Sequence, residues 1–67
     1  MERLALTARE VGQLLGCSER HIRRMRSAGK LPRPVKIGGA VRYKRNDIEK
    51  WLELGCPDLK TFEELSK

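Results

Sequence analysis

Leu6-Thr7-Ala8-Arg9-Glu10-Val11, running on through Gly12-Gln13-Leu14-Leu15-Gly16-Cys17-Ser18 to Glu19-Arg20-His21-Ile22-Arg23-Arg24-Met25-Arg26-Ser27-Ala28-Gly29, is the stretch that decides the fold. Thr7 can cap a helix, and Glu10, three residues on, can reach back to close a capping box. Leu6 before the cap and Val11 at the fourth helical position form the matching hydrophobic staple. Val11, Leu14 and Leu15 recur at helical spacing, and Gly16 stops the helix after about two turns. Ser18 then offers a second cap, Ile22 and Met25 form an inward pair, and Gly29 ends the second helix before Lys30-Leu31-Pro32. The prediction is helix, tight turn, helix.

After Pro32-Arg33-Pro34 the apolar pattern changes to period two, with Val35 and Ile37 on one side of Gly38-Gly39-Ala40 and Val41 and Tyr43 on the other. This predicts a hairpin over 35–44. A three-residue loop of Gly38, Gly39 and Ala40 would pair Ile37 with Val41 and Val35 with Tyr43, making one face apolar and leaving Lys36, Arg42 and Lys44 on the other. A two-residue Gly-Gly turn would scramble the faces, so the longer loop is expected. Asn46 is the expected cap of a third helix over 46–55, with Glu49 completing its capping box and Ile48, Trp51 and Leu52 as its core stripe. In the tail, 56–67, Leu59, Phe62 and Leu65 have the spacing of a short amphipathic helix, too brief to stand unsupported. It is expected on the core or on a partner.

The chain has 67 residues, 15 of them Lys or Arg and 9 Asp or Glu, for a net charge of +6. That charge is concentrated. From Arg20 to Arg45 there are ten basic residues and no acidic one, whereas the flanks, 1–19 and 46–67, carry −1 and −3. Such a block repels itself unless an anion meets it, and a phosphate backbone is the anion that fits. With Ile22 and Met25 inward at about 100° per residue, Arg20, Arg24 and Ser27 point away from the core, with Arg23 beside them. Repulsion among Arg20, Arg23 and Arg24 costs a few tenths of a kcal/mol per pair, which a bound anion offsets. Arginine also reads guanine O6 and N7 with a two-pronged hydrogen bond. The spacing leaves open which arginine reads a base and which holds a phosphate. Glu19, at the first helical position, reads as a dipole-stabilising carboxylate, or more sharply as a contact to cytosine N4.

Other function classes find little support. The length suits one small domain, 1–67, with a modest core. The longest apolar run, Leu4 to Leu6, is far short of the ~20 residues of a membrane span, and Met1-Glu2-Arg3 has no signal-peptide character. A soluble, cytoplasmic protein is expected. Cys17 and Cys56 match no zinc-ligand spacing and are too few for a disulfide framework, so neither metal nor disulfide is expected. Cys17 reads as a buried thiol in the turn. His21 lacks a partner for catalysis or metal binding and reads as a surface or phosphate contact. With no nucleophile–base pair and no phosphate-cradling glycine loop, no enzymatic activity, cofactor or small-molecule ligand is expected. RNA recognition would want exposed aromatics, and Tyr43, Trp51 and Phe62 are the whole supply.

The ordered combination of Leu6-Thr7-Ala8-Arg9-Glu10-Val11, Leu15-Gly16-Cys17-Ser18, Ile22-Arg23-Arg24-Met25, Gly29-Lys30-Leu31-Pro32, Val41-Arg42-Tyr43 and Asp47-Ile48-Glu49-Lys50-Trp51-Leu52 resembles the MerR-like winged helix-turn-helix of the AlpA and excisionase group. The resemblance covers residues 4 to about 55. It implies a mainly α fold with a small β-hairpin, in which the helix Glu19 to Ala28 enters the major groove of double-stranded DNA and the Gly38-Gly39 hairpin is a wing on the backbone or adjacent minor groove. Arg20, Arg23 and Arg24 are then the helix contacts and Arg42 the main wing contact. Around them, Thr7, Arg9, Ser18, His21 and Ser27 complete the expected helix-turn-helix contacts, and Lys36, Gly39 and Lys44 those of the wing. The function implied is sequence-selective DNA binding, as a recombination directionality factor or a small transcriptional regulator. Twelve residues follow Gly55, where full MerR regulators continue into a dimerisation helix and an effector domain, so sensing of a metal or drug is not implied. A module this small suggests cooperative head-to-tail self-association on DNA or an integrase partner. The competing expectation is an adaptor that docks an integrase or polymerase through Leu59, Phe62 and Leu65.

Overall fold

The computed structural model describes residues 3–66, so the expectation for the Met1-Glu2 start lies outside it. The elements run β1 (Ala5–Leu6), α1 (Ala8–Leu15), α2 (Glu19–Ser27), β2 (Val35–Ile37), β3 (Ala40–Lys44), α3 (Arg45–Glu53) and α4 (Leu59–Leu65).

The start of α1 follows its sequence signal closely. Glu10 N–H donates to Thr7 Oγ1 at 3.1 Å while Thr7 N–H donates to Glu10 Oε1 at 2.9 Å. Leu6 and Val11, the staple pair, are both buried. The turn that follows depends on Gly12. A Cβ there would stand 2.5 Å from the Cys17 carbonyl oxygen, so the chain leaving α1 folds back against a helix face that tolerates no side chain. Cys17 N–H closes the turn on Gly12 O at 2.8 Å, and Ser18 Oγ then caps α2 by accepting from His21 N–H at 3.1 Å. Leu14 does not join the inward stripe; it is 55% exposed, and Leu15 packs in its place.

The three strands form an antiparallel sheet in the order β1-β3-β2. The hairpin register differs from the expected one. Ile37 pairs with Ala40, Lys36 with Val41 and Val35 with Arg42, so Gly38 and Gly39 alone make the turn. Both have positive φ, +57° and +89°, as a type I′ turn demands of its central residues, and its twist matches that of the strands it joins. The register is also fixed from the other edge, where Leu6 pairs with Tyr43 and Ala5 with Lys44. That pairing places Tyr43 in the core. The consequence is a split set of cations. Lys36 shares a face with Val41 and Tyr43, whereas Arg42 and Lys44 lie on the face of Val35 and Ile37. Ile37 is left 56% exposed at the wing tip.

Strand β3 runs into α3 without a loop, which corrects the expected cap. Lys44 occupies the cap position with no side-chain bond, Arg45 is already helical, and Asn46 caps nothing. The sheet explains this: Arg45 N–H donates to Leu4 O at 2.9 Å, so one helical N-terminal donor is satisfied by β1's own approach strand. The helix also ends early, at Glu53, with Cys56 N–H returning to Trp51 O at 2.9 Å. Ile48 and Trp51 enter the core, but Leu52 remains 48% exposed and outside it.

The core draws on nearly every element: Leu6, Val11, Ile22, Leu31, Tyr43, Ile48, Trp51 and Phe62. The tail therefore packs on its own chain. Asp58 caps α4 through Thr61 N–H at 2.8 Å, Leu59 N–H reaches Gly29 O at 2.8 Å, and Trp51 Nε1–H donates to Pro57 O at 2.8 Å. Arg33 and Glu63 add an ion pair at 3.2 Å. Phe62 is spent in this contact, which leaves the adaptor reading with Leu65 and the edge of Leu59 as its apolar surface.

Candidate nucleic-acid interface

The side chains of α2 divide into three directions around the buried Ile22. At about 100° per residue, Arg20, Arg24 and Ser27 project outward, Arg23 and Arg26 lean to one flank, and His21 and Met25 to the other. The surroundings agree with that geometry. Arg23 and Arg26 line a cleft of about 340 Å³ together with Thr7, Ala8, Val41, Arg42 and Tyr43. His21 and Met25 line a smaller, largely apolar groove of about 240 Å³ with Leu15, Cys17, Trp51, Leu52 and Cys56.

The outward direction carries no competing carboxylate. The side chains of Arg20, Arg24 and Ser27 are exposed and have no hydrogen-bond or ion-pair partner among the described residues. Arg23 is different. Its Nε and Nη2 both donate to Glu19 Oε2, at 3.0 and 2.7 Å, which holds the guanidinium along the flank. An exposed pair of this kind adds little stability, but it sets a direction. Glu19 therefore serves the arginine one turn on, beyond the dipole role expected of it.

On the wing side, Arg42 is half-buried and donates Nη1–H to Val41 O at 2.8 Å. Tyr43 opens on the same cleft. Burial pushes its phenol above the usual tyrosine range, against the pull of the Arg26 and Arg23 charges, so the hydroxyl is a proton donor at neutral pH. At the start of α1, the Thr7 N–H bond is the main reason the Glu10 carboxyl sits below its ordinary range, with the Arg3 and Arg42 charges assisting. Arg3 and Glu10 pair at 3.1 Å.

The expected wing contacts are thus dispersed. Lys36 and Gly39 are exposed near the tip, Arg42 turns to the cleft, and Lys44 lines a different hollow with Arg33, Pro34, Val35, Asp47, Phe62, Glu63 and Ser66. Arg9 lies exposed on α1, while Thr7 and Ser18 have their hydroxyls engaged as caps. Arg26 and Tyr43 were not among the residues expected at the site. Arg26 lies one turn beyond Arg23, a signal present in the sequence, but Tyr43 joins it only through the β1-β3 register. Among the described residues no group of three or more His, Cys, Asp or Glu could hold a metal ion, and no helix is long and apolar enough to cross a membrane.

The model of a protein family described as a helix-turn-helix domain matches residues 5–53. The chain belongs to this helix-turn-helix family. The matched span runs from β1 to the last residue of α3, so the helix-turn-helix proper, α1 and α2, comes with the sheet and third helix, giving the winged form of the fold. The tail helix α4 lies beyond the family's span. Comparison with the curated proteins and with the solved structures returns no significant match.

Proposed function

We propose that this protein binds double-stranded DNA selectively by sequence, with α2 in the major groove and the Gly38-Gly39 wing against the backbone or the adjacent minor groove. The observation that carries this reading is the outward face of the second helix of a helix-turn-helix, where Arg20, Arg24 and Ser27 stand unpartnered among the described residues. Arginines so placed can donate in pairs to guanine edges, each such contact being worth about 1–3 kcal/mol of discrimination. Within the family, the resemblance to MerR-like AlpA and excisionase proteins supports a role as recombination directionality factor or small transcriptional regulator. Bound sites beside recombination attachment sites would mark the first role, and sites overlapping promoters the second.

A second reading concerns assembly. Single modules of this size bury ~600–1,000 Å² on DNA and hold it weakly alone. Outside the basic block the surface is acidic and partly apolar, with Glu49, Glu53, Glu63 and Glu64 exposed alongside Leu52, Leu54 and Leu65. That surface suits basic residues of a neighbouring copy outside the α2 face that occupies the groove, which favours head-to-tail cooperation on DNA; an integrase is the competing partner. Duplex titrations with wild type and Arg20→Ala/Arg24→Ala at two salt concentrations test the DNA reading. Wild type binds a target duplex more tightly than a scrambled one, and the double variant binds both equally. Equal wild-type affinity for both duplexes overturns it. One site against two tandem sites tests cooperation: steeper binding to two supports it, and identical isotherms overturn it.

A further inference from the structure

We propose that the cleft between the first turn of α1, the Arg23–Arg26 flank of α2 and the wing strand β3 is a seat for one backbone phosphate, distinct from the base-reading face of Arg20 and Arg24. This inference rests on the DNA-binding reading and deepens it. Three arginines, Arg23, Arg26 and Arg42, line the cleft. Among the described residues no carboxylate lines the cleft with them, Glu19 is paired with Arg23, and Glu10 is engaged by the Thr7 N–H and Arg3. The charge left for a ligand is therefore positive.

Tyr43 supplies the second line of argument. Its ring is buried, and its hydroxyl has no hydrogen-bond partner among the described residues. Yet no buried side-chain oxygen or nitrogen among those residues lacks a partner, so the hydroxyl reaches the cleft rather than being sealed in apolar core. A buried ring with its donor aimed into a hollow lined by arginines fits an anion with several acceptor oxygens. The first turn of α1 opens on the same hollow at Ala8, adding the positive end of a helix dipole. Arg23 is held against Glu19 through Nε and Nη2, which fixes it along the cleft flank and leaves its two Nη1–H groups and the second Nη2–H for phosphate oxygens.

The division of labour left open by helical spacing is settled on this view by neighbours. Arg23, Arg26 and Arg42 hold backbone and fix register, while Arg20 and Arg24 read sequence.

The test is a set of target duplexes, each with one phosphodiester replaced by a neutral methylphosphonate, bound by wild type, Arg26→Ala and Tyr43→Phe. Wild type should lose about tenfold in affinity at one backbone position, the scale of a charge-assisted contact. Arg26→Ala should bind the unmodified duplex correspondingly weakly, lower the salt slope by about 1 and be indifferent to the substitution at that position. Tyr43→Phe, which keeps the buried ring, should share that indifference in part. If wild type binds the target duplex and every methylphosphonate penalty persists in Arg26→Ala, the seat is wrong while the DNA reading stands. If wild type binds no duplex, the DNA reading itself falls. A nuclear magnetic resonance titration with inorganic phosphate separates the other source: saturable shifts at the Arg26 side chain without methylphosphonate coupling would assign the cleft to a free anion and overturn the proposal.

Discussion

The two flanks of α2 belong to the same helix, their residues three or four apart within each flank, and meet opposite surroundings. On one, Arg23 and Arg26 face Arg42, Tyr43 and the first turn of α1 across a polar cleft. On the other, His21 and Met25 face Leu15, Trp51, Leu52 and both cysteines across an apolar groove. What separates them is the element each looks toward: the wing strand for the first, the start of the turn and the end of α3 for the second. A helical wheel finds both flanks but not their meaning, since the chemistry of a flank comes from residues distant in the chain. His21 illustrates the point. Its place on α2 groups it with the expected DNA contacts, and it also lines the groove that holds Cys17 and Cys56.

The largest expected effect removes the common root of both flanks. Ile22→Ala leaves a cavity beneath α2 where the side chain is fully buried, and should cost about 2–5 kcal/mol in urea unfolding. Loss well under 1 kcal/mol would mean that α2 does not anchor there. Gly12→Ala should follow at about 1–3 kcal/mol, because its Cβ meets the Cys17 carbonyl and the turn must shift. In the same unfolding assay Thr7→Ala should cost about 1 kcal/mol through the lost cap.

The pH dependence has a defined sign. Glu10 and Asp58 have carboxyls lowered from 4.5 and 3.8 by backbone N–H bonds from Thr7 and Thr61. Their contribution is present above those values, where both are ionised in either state, and is lost as pH falls through the lower folded values. Stability should decline below about pH 4.5, and Glu10→Gln should flatten the upper part of that decline. An unchanged profile in Glu10→Gln would remove Glu10 from the account. The smallest effect belongs to the apolar flank: His21→Ala, or alkylation of the exposed Cys56, should change duplex affinity less than about twofold, within the half kcal/mol typical of surface changes away from a site. A tenfold loss would show that both flanks touch DNA.

Local signals in the chain proved readable where the physics is local. The Thr7–Glu10 box, the Ser18 cap and the inward Ile22 each depend on residues within four of one another, and all were legible. The hairpin over 35–44 was legible but its register was not, because that register answers to Leu6 pairing with Tyr43 across the sheet, and a two-residue strand such as Ala5–Leu6 leaves no periodic trace. The Asn46 cap failed for a related reason: the sheet carries the chain straight into α3 and meets the donor need at Leu4. Gly12 carries no local signal of its role, which comes from the return of the chain at Cys17. At the candidate site, the outward arginines and the one-turn spacing of Arg23 and Arg26 are legible in the sequence, whereas Tyr43 requires the wing to be placed first.

The most direct test is selection of bound sites from random duplex DNA by wild type, by Arg20→Ala/Arg24→Ala and by Arg26→Ala. The account predicts a defined motif for wild type, loss of that motif in the double variant, and the same motif recovered at lower yield by Arg26→Ala. No enrichment by wild type, or a motif that survives in the double variant, would contradict it.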